Sequence, residues 1–325
     1  MNLTYIYEYH NYTLLELERN NLLELLSKSI GEKITNVKYI YLGKKLKFGN
    51  QIHLIDKAIF SCEILGCRKI ILDKNNNWFI KKKISYKKFK MSFEIKNENN
   101  IEYSNVILDK TPFFFFYYFK REHRLEIIRN EIINNLPKLP IINKNDLFIY
   151  IRSSDIFIKP HKDYIQGPLC FYKTILDNFE FRNVYLIAQD NNNPVIEKLL
   201  YLYPKIIFQK NSISIDLSYL INSYNLARGG VSTFLLYSIL LNHNLKILFN
   251  FKFQKKKNKF LNKINIKSFY STDSIKHFIM YSSDKYLNEM KVWNNSKLQL
   301  DLMVSNNCSN SQFFFKIYPN QKLIR

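Results

Sequence analysis

The sequence predicts an α/β protein, and the second half of the chain carries the clearest evidence. Strand-like segments at residues 146–152 and 184–190 each precede a segment with helical periodicity. A third strand, a helix, a Gly229-Gly230 turn, a further helix and the strand LKILFNF continue the same alternation. Alternation of strands and helices predicts a parallel sheet with helices on both faces.

The first half of the chain contains part of a similar unit. Residues 46–51, LKFGNQ, predict a turn, which is followed by an amphipathic helix, Gly66 and a buried strand at 68–73. Leucines at helical spacing in residues 13–28, with acidic residues early and a lysine late, predict an earlier helix. The order turn, helix and strand is typical of a Rossmann-like fold.

A linker divides the two halves. The helix predicted for residues 122–135 is followed by LPKLPIINKND, where Pro137 and Pro140 cannot both continue a helix. We therefore expect an N-terminal α/β domain at 1–140 and a C-terminal Rossmann-like domain at 141–325, with its tail packing back.

Composition narrows the class of protein. Hydrophobic residues make up 46% and charged residues 23% of 325 residues, which is typical of a globular chain. The net charge of +22 leaves a basic polyanion-binding protein as one alternative, but lysines are scattered along the whole chain, so a solvated basic surface is the preferred interpretation. We therefore expect no nucleic-acid partner.

The chain lacks the signals of a membrane or secreted protein. Its longest apolar run, at 112–119, is shorter than the ~18 residues of a membrane span. The N-terminus carries acidic residues where a signal peptide would be apolar, so the default location is cytoplasmic. The four cysteines are Cys62, Cys67, Cys170 and Cys308, and their spacing predicts neither a disulfide scaffold nor a zinc site.

Arginine and acidic residues follow the best-defined strand of the second half. Arg152 lies directly at its end, and Asp155 comes three residues later. The guanidinium group of an arginine can form two parallel hydrogen bonds to a pyrophosphate, and the acid can fix its orientation. A structural ion pair is the alternative.

A second candidate is GGVSTF, at 229–234, where Ser232 and Thr233 begin an amphipathic helix. Backbone N–H groups and hydroxyls at a helix N-terminus bind phosphate, although a plain capped helix has the same pattern. Asp190 ends a predicted strand and Asp216 opens a predicted helix; either carboxylate could accept hydrogen bonds from a base or sugar, or act as a cap.

A loop histidine completes the candidates. His161 lies on the segment after Arg152, together with Tyr164 and Gln166. An imidazole can serve as a general base near neutral pH.

Taken in order, these segments resemble the fucosyltransferase superfamily of α-1,2-, α-1,6- and protein O-fucosyltransferases. The matching segments are Lys47-Phe48-Gly49-Asn50-Gln51, Tyr150-x-Arg152-x-x-Asp155, Asp190, Asp216 and Ser232-Thr233-Phe234. The family signature H-x-R-x-x-D has a histidine where this chain has Tyr150. The resemblance covers about residues 47–73 and 146–250.

The resemblance implies a GT-B arrangement, with two Rossmann-like domains and the donor bound in the cleft between them. The domain at 1–140 would then lie on the acceptor side, and the domain at 141–325 would bind the nucleotide sugar. It implies an inverting, metal-independent glycosyltransferase that transfers fucose from GDP-fucose to a glycan or protein. No metal and no cofactor is then expected, and the location would be the secretory-pathway lumen if the sequence is truncated. A nucleotide-sugar-binding homologue without activity is an alternative, because Tyr150 replaces the histidine.

Residue roles follow from the same resemblance. Arg152 would contact the β-phosphate, Asn50 would help form the cleft, and Asp190 stands where the family often has an acid. Asp216 would meet the guanine. The turn of Ser232, Thr233 and Phe234 would hold phosphate, and Asp155 or His161 would accept the proton of the acceptor hydroxyl.

Overall fold

A computed structural model describes residues 20, 23–24, 37–42, 48–73, 84–86, 91–96, 125–130, 136–139, 141–253, 275–308 and 314–318. The chain divides into two compact units, Met1–Asn135 and Leu136–Arg325. The aromatic run at 112–119, the lysine run at 255–259 and most of the helix predicted for 13–28 lie outside the described residues.

The first unit contains a mixed four-stranded sheet. Its described elements are β1 (Ile40–Leu42), α1 (Phe48–Leu65), β2 (Lys69–Asp73), β3 (Ile84–Tyr86) and β4 (Met91–Lys96). The strands are ordered β1-β2-β4-β3; β1, β2 and β4 are parallel, and β3 is antiparallel to β4. The predicted helix-to-strand passage is confirmed, with Gly66 at a φ of 74° between α1 and β2.

The turn predicted at 46–51 is wrong in part, because α1 already begins at Phe48 and Asn50 therefore lies in its first turn. One glycine in a helix costs only about 1 kcal/mol relative to alanine. Ile52, Ile55 and Ile59 are all buried on one face of α1, and this burial outweighs that cost. The predicted role of Asn50 stays a prediction, since its side chain lies outside what the structure describes.

The second unit is built on a seven-stranded sheet in the order β11-β10-β9-β8-β5-β6-β7. Its strands are β5 (Leu147–Tyr150), β6 (Val184–Ile187), β7 (Ile207–Gln209), β8 (Asn225–Arg228), β9 (Ile247–Lys252), β10 (Ile275–Tyr281) and β11 (Phe314–Tyr318). Its helices are α2 (Asp155–Ile158), α3 (Leu169–Asn178), α4 (Pro194–Leu202), α5 (Ile213–Asn222), α6 (Thr233–Leu241), α7 (Asp284–Met290) and α8 (Lys297–Ser305). Neighbouring strands are parallel except for β10 and β11, which are antiparallel.

The sheet of the second unit is buried on both faces, as the alternation predicts. Leu147 and Ile149 belong to one core cluster, which α3, α4, α7 and α8 complete, whereas Phe148 belongs to another with α5 and α6. Successive residues of a strand point to opposite faces, so the two clusters are the two sides of one sheet. The predicted α/β class with a parallel sheet is confirmed.

Helix starts in this unit follow local capping chemistry, with one difference from the prediction. Asn193 caps α4 by accepting the N–H of Val195 at 3.0 Å, next to Pro194 at the first helical position. Asp216 was predicted to open a helix, but α5 begins three residues earlier at Ile213. The earlier start places Asp216 within the first turn of the helix, whose buried residues include Leu217, Leu220 and Ile221.

Contrary to the cysteine prediction, the structure pairs Cys62 with Cys67 and Cys170 with Cys308. The second pair joins α3 to the segment that follows α8, across 138 residues of sequence. Sequence spacing could not reveal this pairing, because only the packing of α8 beside α3 brings the two side chains together. Among the described helices, none has the length and hydropathy that a membrane span requires.

Candidate functional site

The polar candidates gather at one edge of the second sheet. Because the central strands are parallel, the segments after β5, β6, β7 and β8 all leave the sheet at its carboxyl edge. The strand order runs outward in opposite directions from the pair β5 and β8, whose ends Tyr150 and Arg228 lie side by side. The place where the strand order reverses, between β5 and β8, is the switch point of the sheet, and doubly wound proteins bind their ligands there.

Arg152 is held at this edge from three sides. Its Nη2 atom donates to Asp155 Oδ2 at 3.3 Å, and Nη1 donates to the carbonyl oxygen of Val231 at 3.3 Å. The guanidinium carbon lies 4.1 Å from the centre of the Tyr164 ring. The side chain is 15% exposed, so it is fixed and still reachable. An arginine held in one orientation is suited to a charge that develops at one place.

The predicted start of α6 is confirmed, and its cap is the hydroxyl group of Ser232. Ser232 Oγ accepts the N–H of Leu235 at 3.2 Å and donates to the hydroxyl of Tyr150 at 3.4 Å. This hydroxyl is therefore already engaged by two protein groups. Phe234 packs on the ring of Tyr150, with centroids 5.7 Å apart.

Two loops are pressed together beside this helix start. Val231 N–H donates to the carbonyl of Ile165 at 3.1 Å, which joins the segment after β8 to the segment after β5. A Cβ atom on Gly167 would overlap the carbonyl oxygen of Gly229, and a Cβ on Gly229 would overlap the hydroxyl of Tyr172. The Gly229-Gly230 turn therefore serves this close approach, which the sequence prediction did not identify.

Tyr150 lies at the centre of the cluster. Its hydroxyl is bonded to Ser232, and its charge state is coupled to Arg152, Asp216 and Asp155. Burial raises the pKa of Tyr150, which the Ser232 hydrogen bond only partly offsets. The phenol is therefore neutral at physiological pH and acts as a hydrogen-bonding group rather than a charge.

Asp216 is a buried acid with an open acceptor. It is 3% exposed, and within the part of the chain that the structure describes its Oδ1 atom has no hydrogen-bond partner. Burial raises the pKa of Asp216 to about 7, opposed in part by a hydrogen bond from Asn211. A buried carboxyl group without a full set of partners is costly to the fold, which is typical of a group that a ligand completes.

Removing the Asp216 carboxylate should change how stability depends on pH. The folded-state pKa of about 7 exceeds the ordinary 3.8, so the native chain retains a proton that the unfolded chain loses. The free energy of unfolding therefore falls as pH rises from about 4 to about 7, by an amount on the order of 4 kcal/mol. Asp216→Asn should lack this fall and be the more stable protein at pH 8, as urea unfolding across pH would measure.

The matched control for this prediction is Asp301→Asn, on the exposed side of α8. Asp301→Asn should reproduce the wild-type dependence of unfolding free energy on pH. Equal slopes for Asp216→Asn and the wild type would mean that the carboxyl group at 216 ionises normally in the folded chain.

Asp190 bonds to neighbouring backbone and side-chain groups of the protein. Its Oδ1 atom accepts the hydroxyl of Ser153, the N–H of Ser154 at 3.0 Å and the N–H of Asn192 at 3.0 Å. Burial alone would raise the pKa of Asp190, but these hydrogen bonds outweigh it and the pKa is lowered. Asp190 is thus a carboxylate that links the segment after β6 to the segment after β5.

His161 lies on the exposed side of the segment that follows β5. Its side chain is 57% exposed, and Nδ1 accepts the N–H of Asp163 at 3.3 Å. The imidazole lies 5.3 Å from the ring of Tyr164, on which Arg152 stacks. This contact chain places His161 beside the cluster, in reach of solvent.

Sequence reasoning missed two members of the arrangement, Ser153 and Asn193. Both are 1% exposed, and both belong to the network around Asp190. The only signal for Asn193 was its place before Pro194, which indicates a cap and nothing more. In the described residues, no three His, Cys, Asp or Glu side chains gather as a metal site would require.

The fold and this edge define the class: a doubly wound α/β protein with a fixed arginine and a helix N-terminus at its switch point. No protein-family model and no curated protein matches the chain. Solved structures that match it include fucosyltransferase NodZ from Bradyrhizobium, at 10% identity, with 64% of this chain and 94% of that chain covered and a TM-score of 0.37.

Two further matches are the NodZ α-1,6-fucosyltransferase co-crystallised with GDP and the same enzyme soaked with GDP-fucose. Both are 10% identical over 64% of this chain and 93% of theirs, with TM-scores of 0.37 and 0.38. At this identity and TM-score, function has to be argued from the residues of the site.

Proposed function

We propose that the chain is a glycosyltransferase that uses a GDP-sugar, with fucose as the first sugar to test, and transfers it with inversion and without a metal. The observation that carries the proposal is the fixed guanidinium of Arg152 at the switch point, hydrogen-bonded to the Val231 carbonyl just before the start of α6. The guanidinium and the N-terminus of α6 both favour negative charge, and neither must reorganise when that charge appears.

The reaction needs such a place. When the acceptor hydroxyl attacks the anomeric carbon, the bond from that carbon to the β-phosphate oxygen breaks and its electron pair goes to the diphosphate. Arg152 and the first N–H groups of α6 would hold the departing charge, which is the role that a divalent cation plays elsewhere. Asp155 would keep the guanidinium aimed through its 3.3 Å contact.

The acceptor proton requires a base, and we assign it to His161. The Asp155 carboxylate is paired with Arg152, whereas the His161 imidazole is 57% exposed, and its Nδ1 can take the proton once it releases the N–H of Asp163. A neutral imidazole can take the proton as the new glycosidic bond forms. The acceptor would be a glycan or a protein side chain, approaching from the solvent side of this loop.

Asp216 would recognise the base of the nucleotide. Its open Oδ1 acceptor matches the adjacent ring N–H and amino group of guanine, which donate to one carboxylate. Asp216→Asn should therefore weaken binding of GDP and strengthen binding of xanthosine diphosphate, because an amide can donate to the oxygen that xanthine carries in place of the amino group.

The experiment that tests the function is a calorimetric titration with GDP, GDP-fucose and UDP-sugars, with and without EDTA, followed by a transfer assay on a panel of acceptors. We expect GDP and GDP-fucose to bind and UDP-sugars not to bind, with no effect of EDTA. A folded protein that binds no nucleotide would refute the proposal.

Binding without transfer is the second candidate, and Tyr150 favours it. Tyr150 occupies the position of the histidine in the family signature H-x-R-x-x-D. Its buried phenol is hydrogen-bonded to Ser232 and packs on Phe234. Tight GDP-fucose binding with neither transfer nor hydrolysis would select this candidate.

For the cellular location we propose an oxidising compartment rather than the cytoplasm. The two cystine pairs carry this proposal, because disulfides persist in such compartments and are rare in the cytosol. Alkylation of protein taken directly from cells, followed by mass measurement, would count the free thiols; four free thiols would contradict it.

A further inference from the structure

The segment after β6 holds the backbone that carries Arg152. Asn193 Nδ2 donates to the carbonyl oxygen of Arg152 at 3.0 Å, and the N–H of Asn193 donates to Ser153 Oγ at 3.0 Å. Ser153 in turn donates its hydroxyl to Asp190. Consecutive backbone and side-chain groups after β5 are therefore bonded to one short segment, and Asn193 is itself anchored as the cap of α4.

Ser154, which is part of this network, has an unusual backbone conformation. Its φ of 59° and ψ of −110° lie where residues other than glycine are disfavoured. The N–H of Ser154 is held by Asp190 Oδ1 at 3.0 Å. The sharp turn brings Asp155 back to Arg152, so that the ion pair of 3.3 Å forms across only three residues.

Asp190, Ser153 and Asn193 all form hydrogen bonds within the segment that carries Arg152 or to it. None of the three side chains has to contact a ligand to affect Arg152. Ser153 and Asn193 are both 1% exposed, and the Oδ1 atom of Asp190 already accepts three hydrogen bonds. A network that only stabilised the fold would not need to hold a disfavoured backbone conformation next to the arginine that is bonded to Asp155 and Val231.

We propose that Asp190 and Asn193 are positioning residues that aim the Arg152 guanidinium at the terminal phosphate of the diphosphate. This inference rests on the proposed function, and it replaces direct contact between Asp190 and the donor with action through Arg152. The ratio of the dissociation constants of GMP and GDP measures how well Arg152 is oriented, because GMP lacks the phosphate that Arg152 would contact.

The experiment compares the dissociation constants of GDP and GMP by calorimetry for the wild type, Asp190→Ala, Asp190→Asn and Arg152→Ala. Asp190→Ala should weaken GDP about tenfold to a hundredfold and leave GMP within about twofold, since a hydrogen bond to a charged group is lost. Asp190→Asn retains an acceptor oxygen and should restore most of the preference. The double variant with Arg152→Ala should lose no more than Arg152→Ala alone.

Asp301→Ala, on the exposed side of α8, is the matched control and should bind both nucleotides as the wild type does. If Asp190→Ala does not fold, Ser153→Ala is measured in its place, because it removes the hydroxyl that bridges Asp190 and Asn193.

Two failures are distinguishable in this design. A wild type that binds neither nucleotide refutes the proposed function and this inference with it. A wild type that prefers GDP, with a preference that Arg152→Ala abolishes and Asp190→Ala preserves, overturns the positioning role alone. Equal weakening of GDP and GMP by Asp190→Ala also overturns it, because Asp190 would then shape the whole pocket.

Discussion

Arg152→Ala should lower kcat/KM for sugar transfer by about a hundredfold to a thousandfold, the range seen when one preorganised donor to a developing negative charge is lost. GDP affinity should fall by about tenfold or more, because a charge-assisted contact disappears from the ground state as well. The larger effect on the rate follows because charge on the diphosphate grows as the glycosidic bond breaks. Steady-state kinetics and calorimetry of the same preparation measure the two effects separately.

Two further variants serve as a conservative substitution and as a control for this prediction. Arg152→Lys keeps the charge but loses the planar fork and the stacking on Tyr164, so an intermediate rate is expected. Arg182→Ala removes an exposed arginine just before β6, at the opposite edge of the sheet, and should leave both constants unchanged. Wild-type kcat/KM in Arg152→Ala would show that the leaving group is stabilised elsewhere.

Loss of the Cys170–Cys308 pair should destabilise the second unit strongly. In the chain-entropy account, a cross-link spanning 138 residues contributes about 5 kcal/mol to the free energy of unfolding. Cys170→Ser, compared with wild type in urea unfolding without reductant, should show a loss of this order. Reductant added to the wild type should lower its midpoint toward that of the variant.

The other pair provides an internal control, since Cys62 and Cys67 are separated by 5 residues. The same account gives about 2 kcal/mol for so short a loop, so Cys62→Ser should cost less than half as much. Indistinguishable unfolding of Cys170→Ser and wild type in the absence of reductant would argue that Cys170 and Cys308 are not paired in solution.

The features that depend on local chemistry could be predicted from the sequence alone. The strand ending before Arg152 and the helix beginning after Ser232 are both where the pattern predicts them, because hydrophobic period and capping act within a few residues. The β/α alternation of the second half was readable for the same reason. The candidates Arg152 and Ser232 follow directly, since each lies one or two residues beyond a strong local signal.

Which of these local features come into contact depends on the assembled fold. Strand order placed the segments after β5 and β8 side by side, and it brought the Asp190 carboxylate into hydrogen bonds with Ser153 and Ser154 on the segment that carries Arg152. The pairing of Cys170 with Cys308 and the open acceptor of Asp216 were equally hidden. Each depends on contacts between residues far apart in the chain, and local periodicity carries no information about such contacts because burial and hydrogen-bond partners exist only once the sheet is assembled.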